Sequence, residues 1–246
     1  MSSAAITLEH SVGSAQTRGR AFRSSCMVDS TPIVFVLDED TAVLESLERL
    51  VHREGWHCAT FASEQEFVTC RPAGVPNCLV LDALLPGTSA LELQKRIAAE
   101  RPGTSIIFVA SRFDMNTTVK AIKAGAVEFF KKPFRDDVLL TAIREALERS
   151  RFALGQEAGM RVIRNCYTTL TPRERQVMEL LVSGLLNKQV GGELGIGEHT
   201  VKVHRSRVMQ KMQADSFAHL VRIASKLGVA PRRKPGTDAP SDATFV

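Results

Sequence analysis

From Ile33 onward, short apolar runs alternate with longer amphipathic stretches, and the two have different periods. The runs IVFVL, HCATF, CLVLDALL, SIIFVA and AVEFF are too short for helices and rich in β-branched and aromatic residues, so they predict five strands. Between them, TAVLESLERLVHREG, SALELQKRIAAE and MNTTVKAIKAG space their apolar residues three and four apart, which predicts helices. The longer runs are continuously apolar rather than alternating, as strands covered on both faces must be. The expected fold is therefore α/β: a five-stranded doubly wound parallel sheet over residues 32–147.

The pattern then changes. DDVLLTAIREALERSRFALGQEAGMRVIRNC keeps a helical period throughout, so residues 148–166 are expected to form a helical linker. Residues 167–230 predict a second, all-α domain of four helices. Its first helix is marked by Thr171 at the N-cap, Pro172 at the first helical position and Glu174 where a capping box needs it. NKQVGGEL, EHTVKVHRSRVMQKM and SFAHLVRIASKL supply the others, with Gly195 and Gly228 as stops. The extension 1–31 and the tail 231–246 are polar or small-residue segments expected to lack fixed structure.

Composition supports two domains, because 246 residues exceed a usual single domain of ~100 to 150 and a 44% hydrophobic content can fill two cores. Charge separates them. Residues 160–246 carry a net +7 and residues 1–159 a net −2, so the cationic excess sits where a polyanion such as double-stranded DNA would bind, although a solvated basic face looks the same. Cys26, Cys58, Cys70, Cys78 and Cys166 lack CxxC spacing, which argues for reduced buried thiols over zinc or disulfides. No signal peptide or membrane helix is evident, and the expected location is the cytoplasm, with no membrane partner.

In doubly wound sheets ligands sit beyond the carboxyl ends of the strands. Those ends carry Asp38, Glu39 and Asp40 after the first strand, Asp82 in the third and Lys132-Pro133 after the fifth. Carboxylate oxygens of this kind suit Mg²⁺, which keeps several waters and takes few protein ligands. The Asp82 carboxylate could then attack a phosphoryl group while the Lys132 ammonium offsets charge. Any one acid at a strand end is more often a solvated loop residue or helix cap; the joint arrangement is what points to chemistry.

VFVLDED, LVLDALLPGTSALEL and KAGAVEFFKKPF, in this order of units, resemble the receiver domain of bacterial response regulators over about Pro32 to Leu147. The resemblance implies that Asp82 is the phosphoacceptor, that Asp38 and Glu39 hold Mg²⁺ with it, that Lys132 contacts the phosphoryl group and that Phe129 is the switch aromatic. A sensor histidine kinase is the implied donor. The switch Thr or Ser of that family falls on Ala110, which has no hydroxyl, and Ser111 could replace it only if the strand is bulged or its register differs by one. Leu84 and Leu85 stand where polar and Met residues are common, and Ala90 replaces a usual Gly. These departures imply altered or phosphorylation-independent control.

In EHTVKVHRSRVMQKM, steps of ~100° put Val201, Val208 and Met212 on one face and Lys202, Val203, Ser206, Arg207 and Gln210 opposite. That division fits the second helix of a helix-turn-helix presented to the major groove. Lys can donate to guanine and Val203 can meet a thymine methyl, while Lys188, Thr200, His204, Arg205 and Arg207 are candidates for phosphate contacts. A lone histidine such as His204 is more often structural than a ligand.

LTPRERQVMELLVSGLLNKQV, GELGIGEHTVKVHRSRVMQKMQA and SFAHLVRIASKLG resemble the LuxR-type DNA-binding domain over nearly its full length. With the receiver, the chain is similar to the FixJ and NarL class, especially the branch of FixJ and the styrene- and toluene-responsive regulators. This implies a transcription regulator, not an enzyme, whose base-facing residues are Lys202, Val203 and Ser206, and a homodimer formed through receiver helix four, strand five and helix five, about Thr117 to Leu147. The rival reading is a phosphate-relay or phosphate-sink protein whose basic domain binds a protein partner. An enzyme acting on a phosphorylated metabolite would need a second acid two residues after Asp82, where Leu84 lies.

Overall fold

The computed structural model describes residues 31–70, 74–87, 89–112 and 115–229. The expectations for 1–30 and 230–246, Cys26 included, lie outside the described residues. The chain divides into two units between Leu154 and Gly155.

The first unit runs β1 (Ile33–Leu37), α1 (Thr41–Arg53), β2 (His57–Phe61), α2 (Glu64–Thr69), β3 (Asn77–Asp82), α3 (Ala90–Glu100), β4 (Thr104–Ala110), α4 (Met115–Lys123), β5 (Glu128–Lys131) and the first part of α5 (Asp136–Thr168). All neighbouring strands are parallel, in the order β2-β1-β3-β4-β5. β1 and β3 are buried at every position, which explains their unbroken apolar runs. Alternate side chains go to opposite faces. Val34, Val36, Val80, Ile107 and Val109 pack with Leu44, Leu47 and Val51 of α1 and Leu139 and Ile143 of α5. Phe35, Leu37, Leu79, Leu81 and Phe108 pack with Phe67 of α2, Leu93 and Ile97 of α3 and Ala121 of α4.

α2 is a helix that the apolar spacing did not predict. Its signature is polar: the Glu66 amide donates to the Ser63 hydroxyl at its N-cap. α5 is continuous for 33 residues and spans the whole expected linker. Near the amino-terminal edge of the sheet, the buried Ser150 hydroxyl of α5 accepts the Asn77 amide at 2.8 Å and donates to the Gly103 carbonyl at 2.5 Å.

The second unit contains the end of α5 and α6 (Pro172–Val182), α7 (Asn187–Leu194), α8 (Glu198–Lys211) and α9 (Phe217–Leu227). The predicted capping box is present, with Thr171 and Glu174 bonding each other's backbone amides. Gly195 and Gly228 end α7 and α9 in left-handed conformations, at φ of 65° and 70°. Met178, Val208, Met212, Leu220 and Ile223 form one core patch, and Val177, Leu181, Val190 and Val201 another.

Glu174 is buried, and the Lys211 ammonium donates to it at 2.6 Å and to the Thr169 carbonyl at 3.1 Å, tying α6 to α8. Burial by itself would raise the Glu174 pKa, but hydrogen bonds from Lys211 and Thr171 outweigh it and hold the carboxyl below its usual range. The stability from this pair is therefore complete at neutral pH and is lost as pH falls through the lowered value. Glu174→Gln keeps the capping geometry and removes the charge. It should lower stability by about 1.5–3 kcal/mol at neutral pH and flatten the acid limb of a stability-against-pH curve measured by urea unfolding.

The two adjacent glycines of α7 differ. A Cβ on Gly191 would lie 2.7 Å from the Ile196 carbonyl oxygen, whereas one on Gly192 would meet open space. Gly192→Ala is expected to stabilise the protein by about 0.4–1 kcal/mol and Gly191→Ala to destabilise it, read as opposite shifts of the unfolding midpoint.

Candidate functional site

The order of strands reverses between β1 and β3, since β1 connects outward to β2 while β3 leads the other way to β4 and β5. Outside the carboxyl ends of two such strands no crossover covers the sheet, and a crevice results. Asp38 follows β1 directly and Asp82 is the last residue of β3, so both reach this crevice. Lys132 arrives one residue after β5, where its amide bonds the Ala110 carbonyl at 2.8 Å.

The Lys132 ammonium donates to Asp38 Oδ2 at 2.5 Å and to Asp82 Oδ2 at 2.6 Å. The other carboxylate oxygens are also held: Asp38 Oδ1 by the Asp40 amide at 3.0 Å and Asp82 Oδ1 by the Leu84 amide at 2.8 Å. Both acids are buried. Burial disfavours the charge on Lys132, but the two carboxylate bonds outweigh that and hold its pKa above the usual value. The trio is thus one ammonium between two carboxylates, with a net negative charge.

Glu39 is not part of the trio. Its exposed side chain borders a neighbouring cavity with Ser63, Glu64, Leu85 and Pro86. Asp40 caps α1 by accepting the Ala42 amide. Among the described residues no three His, Cys, Asp or Glu side chains converge closely enough to cage a metal. The donor set still fits Mg²⁺, because that ion needs only one or two carboxylates beside its waters, and the crevice has acidic oxygens in excess of cations. Thiols take no part: among the described residues Cys58, Cys70, Cys78 and Cys166 are free, and burial pushes Cys58 up to about 12 and Cys78 further.

The pairing of β4 is regular to its end, with Asp82 opposite Val109 and Ala110 opposite Lys131. Ala110 is buried, and Ser111 lies beyond the strand and is exposed, so no bulge carries the Ser111 hydroxyl into the position of Ala110. Phe129 lies directly opposite Phe108, and the two rings stack with centroids 5.9 Å apart at 19°. Sequence periodicity had no means of detecting this pair. Leu84 stands 49% exposed beside Asp82, whereas Leu85 is buried.

In the second unit, α8 divides as its sequence predicts. Val201, Val208 and Met212 are buried, and Lys202, Val203, Ser206, Arg207 and Gln210 are exposed, as are Thr200 and, on α7, Lys188. Lys202, Arg205, Ser206 and Met209 line an open groove with Asn187 of α7. His204 is half-buried, with Nδ1 enclosed and lacking a hydrogen-bond partner among the described residues. Arg205 lies over the ring of Phe217, a residue that sequence reasoning did not single out.

Known proteins agree with this division. Residues 34–144 match the response regulator receiver domain, and residues 168–232 match the bacterial regulatory proteins of the luxR family. Nodulation protein W of Bradyrhizobium diazoefficiens is 41% identical over 198 residues, covering 80% of this chain and 87% of that protein. Response regulator protein TodT of Pseudomonas putida is 39% identical over 201 residues, covering 82% and 88%. The solved structure of response regulator StyR superposes with a TM-score of 0.68 at 41% identity, covering 80% of this chain and 99% of that one. Among the described residues no helix is long and apolar enough to cross a membrane. A receiver sheet with its acids at the switch point, followed by a helix-turn-helix, places the chain in the family of two-component response regulators that control transcription through a LuxR-type DNA-binding domain.

Proposed function

We propose that this regulator accepts a phosphoryl group on Asp82 from a sensor histidine kinase and binds double-stranded DNA through α8. The observation that carries the chemical half is the single ammonium shared by Asp38 and Asp82. The Leu84 amide fixes Asp82 through Oδ1, so Oδ2, on the side of Lys132, is the attacking oxygen. Its bond to phosphorus forms as the bond from phosphorus to the donor breaks, giving an aspartyl phosphate. Lys132 transfers its hydrogen bond from the carboxylate to a phosphoryl oxygen. Asp38, Glu39 and Asp82 would hold Mg²⁺, with Glu39 rotating in from the neighbouring cavity; the ion supplies charge neutralisation for the transferred group.

The switch is altered. Ala110 offers no hydroxyl to an incoming phosphoryl group, and Phe129 is already engaged by Phe108. Phosphorylation can shift a conformational equilibrium only through contacts that differ between the two states. Here the strand-end contact is absent, so phosphate has little leverage on the equilibrium, and a DNA-binding population that exists without phosphate is compatible with this site. The homodimer forms through α4, β5 and α5, supported by Met115, Val119 and Ile122, which make one exposed apolar stripe along α4.

With Mg²⁺ and acetyl phosphate, the full chain should gain the mass of one phosphoryl group and Asp82→Asn should gain none; an unmodified wild type refutes the chemistry. Phosphorylation should change DNA affinity little in the wild type and more in Ala110→Thr.

Binding to DNA should weaken linearly on a log–log plot as salt rises. Lys188→Ala should lower affinity across sequences and reduce that slope by about one, while Lys202→Ala should change sequence preference. Equal titrations at low and high salt would sink the phosphate-contact reading.

A further inference from the structure

Phe217 is a large apolar residue, 37% exposed, that opens α9 outside the buried patches of its unit. Its position is set by Ser216, whose hydroxyl caps α9 by accepting the His219 amide at 3.1 Å. The Arg205 guanidinium carbon lies 5.4 Å from the centre of the Phe217 ring. The two lysines of α8 are held differently, Lys202 pairing with Glu198 at 3.2 Å and Lys211 with Glu174, while Arg207 is exposed. Among the described residues no carboxylate pairs with Arg205, so a neutral ring orients it and its full charge remains available.

We propose that Phe217 is a positioning residue for DNA binding, a platform that holds Arg205 in readiness for a backbone phosphate. The proposal rests on the reading of α8 as the DNA-facing helix. A guanidinium held over a ring spends no hydrogen bond on it, so its N–H donors stay free, and these match phosphate oxygens in pairs. A free arginine loses considerable side-chain entropy when it is fixed on a ligand; a stacked one has already lost part of it. Arg205 also borders the groove that contains Lys202, Ser206 and Asn187, so the held charge lies at the edge of the surface proposed to read bases. A residue of α9, outside the helix-turn-helix itself, thereby contributes to the interface without touching the nucleic acid.

The test is a double-mutant cycle on the full chain with a mixed-sequence DNA duplex titrated at several salt concentrations. Arg205→Ala should weaken binding and reduce the salt slope by about one. Phe217→Leu should weaken binding by about two- to five-fold with the slope unchanged, because the charge is still present. Phe217→Tyr should restore binding, and Phe217→Leu should add no further loss in the Arg205→Ala background. A penalty that persists in that background would assign Phe217 a purely structural role and overturn the proposal. So would Phe217→Leu binding as tightly as wild type. Failure of the wild type to bind the duplex is a different result and would overturn the reading of α8 itself.

Discussion

The receiver crevice depends on one ammonium group serving two buried carboxylates. A carboxylate taken out of water is costly unless it is paired, and Asp38 and Asp82 are 1% and 6% exposed. Lys132 satisfies one oxygen of each, and the Asp40 and Leu84 amides take the others. The three residues lie at the carboxyl ends of β1, β3 and β5, and meet in the crevice left where the sheet reverses its winding between β1 and β3. The arrangement is electrostatically incomplete, since two negative groups share one positive one. That deficit makes the crevice suitable for a hard cation and a transferred phosphoryl group.

Local patterns carried the reading of the fold a long way, for identifiable reasons. Strands covered on both faces have no polar alternation, so β1 and the body of β3 stand out as continuous apolar runs. The helix-turn-helix was legible because burial along α8 follows its period, with Val201, Val208 and Met212 inside. α2 was not legible from apolar spacing because six residues hold less than two turns and bury only Phe67; its cue was the Ser63 and Glu66 pair. Glu39 shows a different limit. The family resemblance named it with Asp38 as a Mg²⁺ ligand, but only the structure shows that successive residues leaving the strand diverge here, with Glu39 bordering a neighbouring cavity.

Other features join residues that no local pattern connects. Asn77 and Ser150 are 73 positions apart, yet the Asn77 amide is satisfied by the Ser150 hydroxyl, which in turn donates a hydrogen bond to the Gly103 carbonyl. The bond is needed because Asn77 begins a fully buried strand and its amide has no access to water. Lys211 and Glu174 are also far apart in sequence, and together they fix α8 to α6, the helix that opens the domain. Arg205 and Phe217 belong to different helices, and only the turn between α8 and α9 brings them together. In each case residue type was informative only after the partner was known.

The two ends of β4 show how differently the same fold treats stability and signalling. Near its start, Thr104 donates to Asn77 Oδ1, part of the network that contains Ser150. At its end, Ala110 supplies no polar group, and the adjacent interaction is the stacking of Phe108 on Phe129. A hydroxyl at position 110 would have a reason to move when charge appears on Asp82; a methyl group has none. Phe129 is held on its inner side by a ring that is itself buried, an attraction that owes nothing to the charge at Asp82. The carboxylate of Asp82 and the aromatic position are therefore energetically separate in this chain. Under the proposed function, Lys132 and the β5 backbone that bonds to Ala110 give phosphate on Asp82 a route that does not need the strand-end side chain.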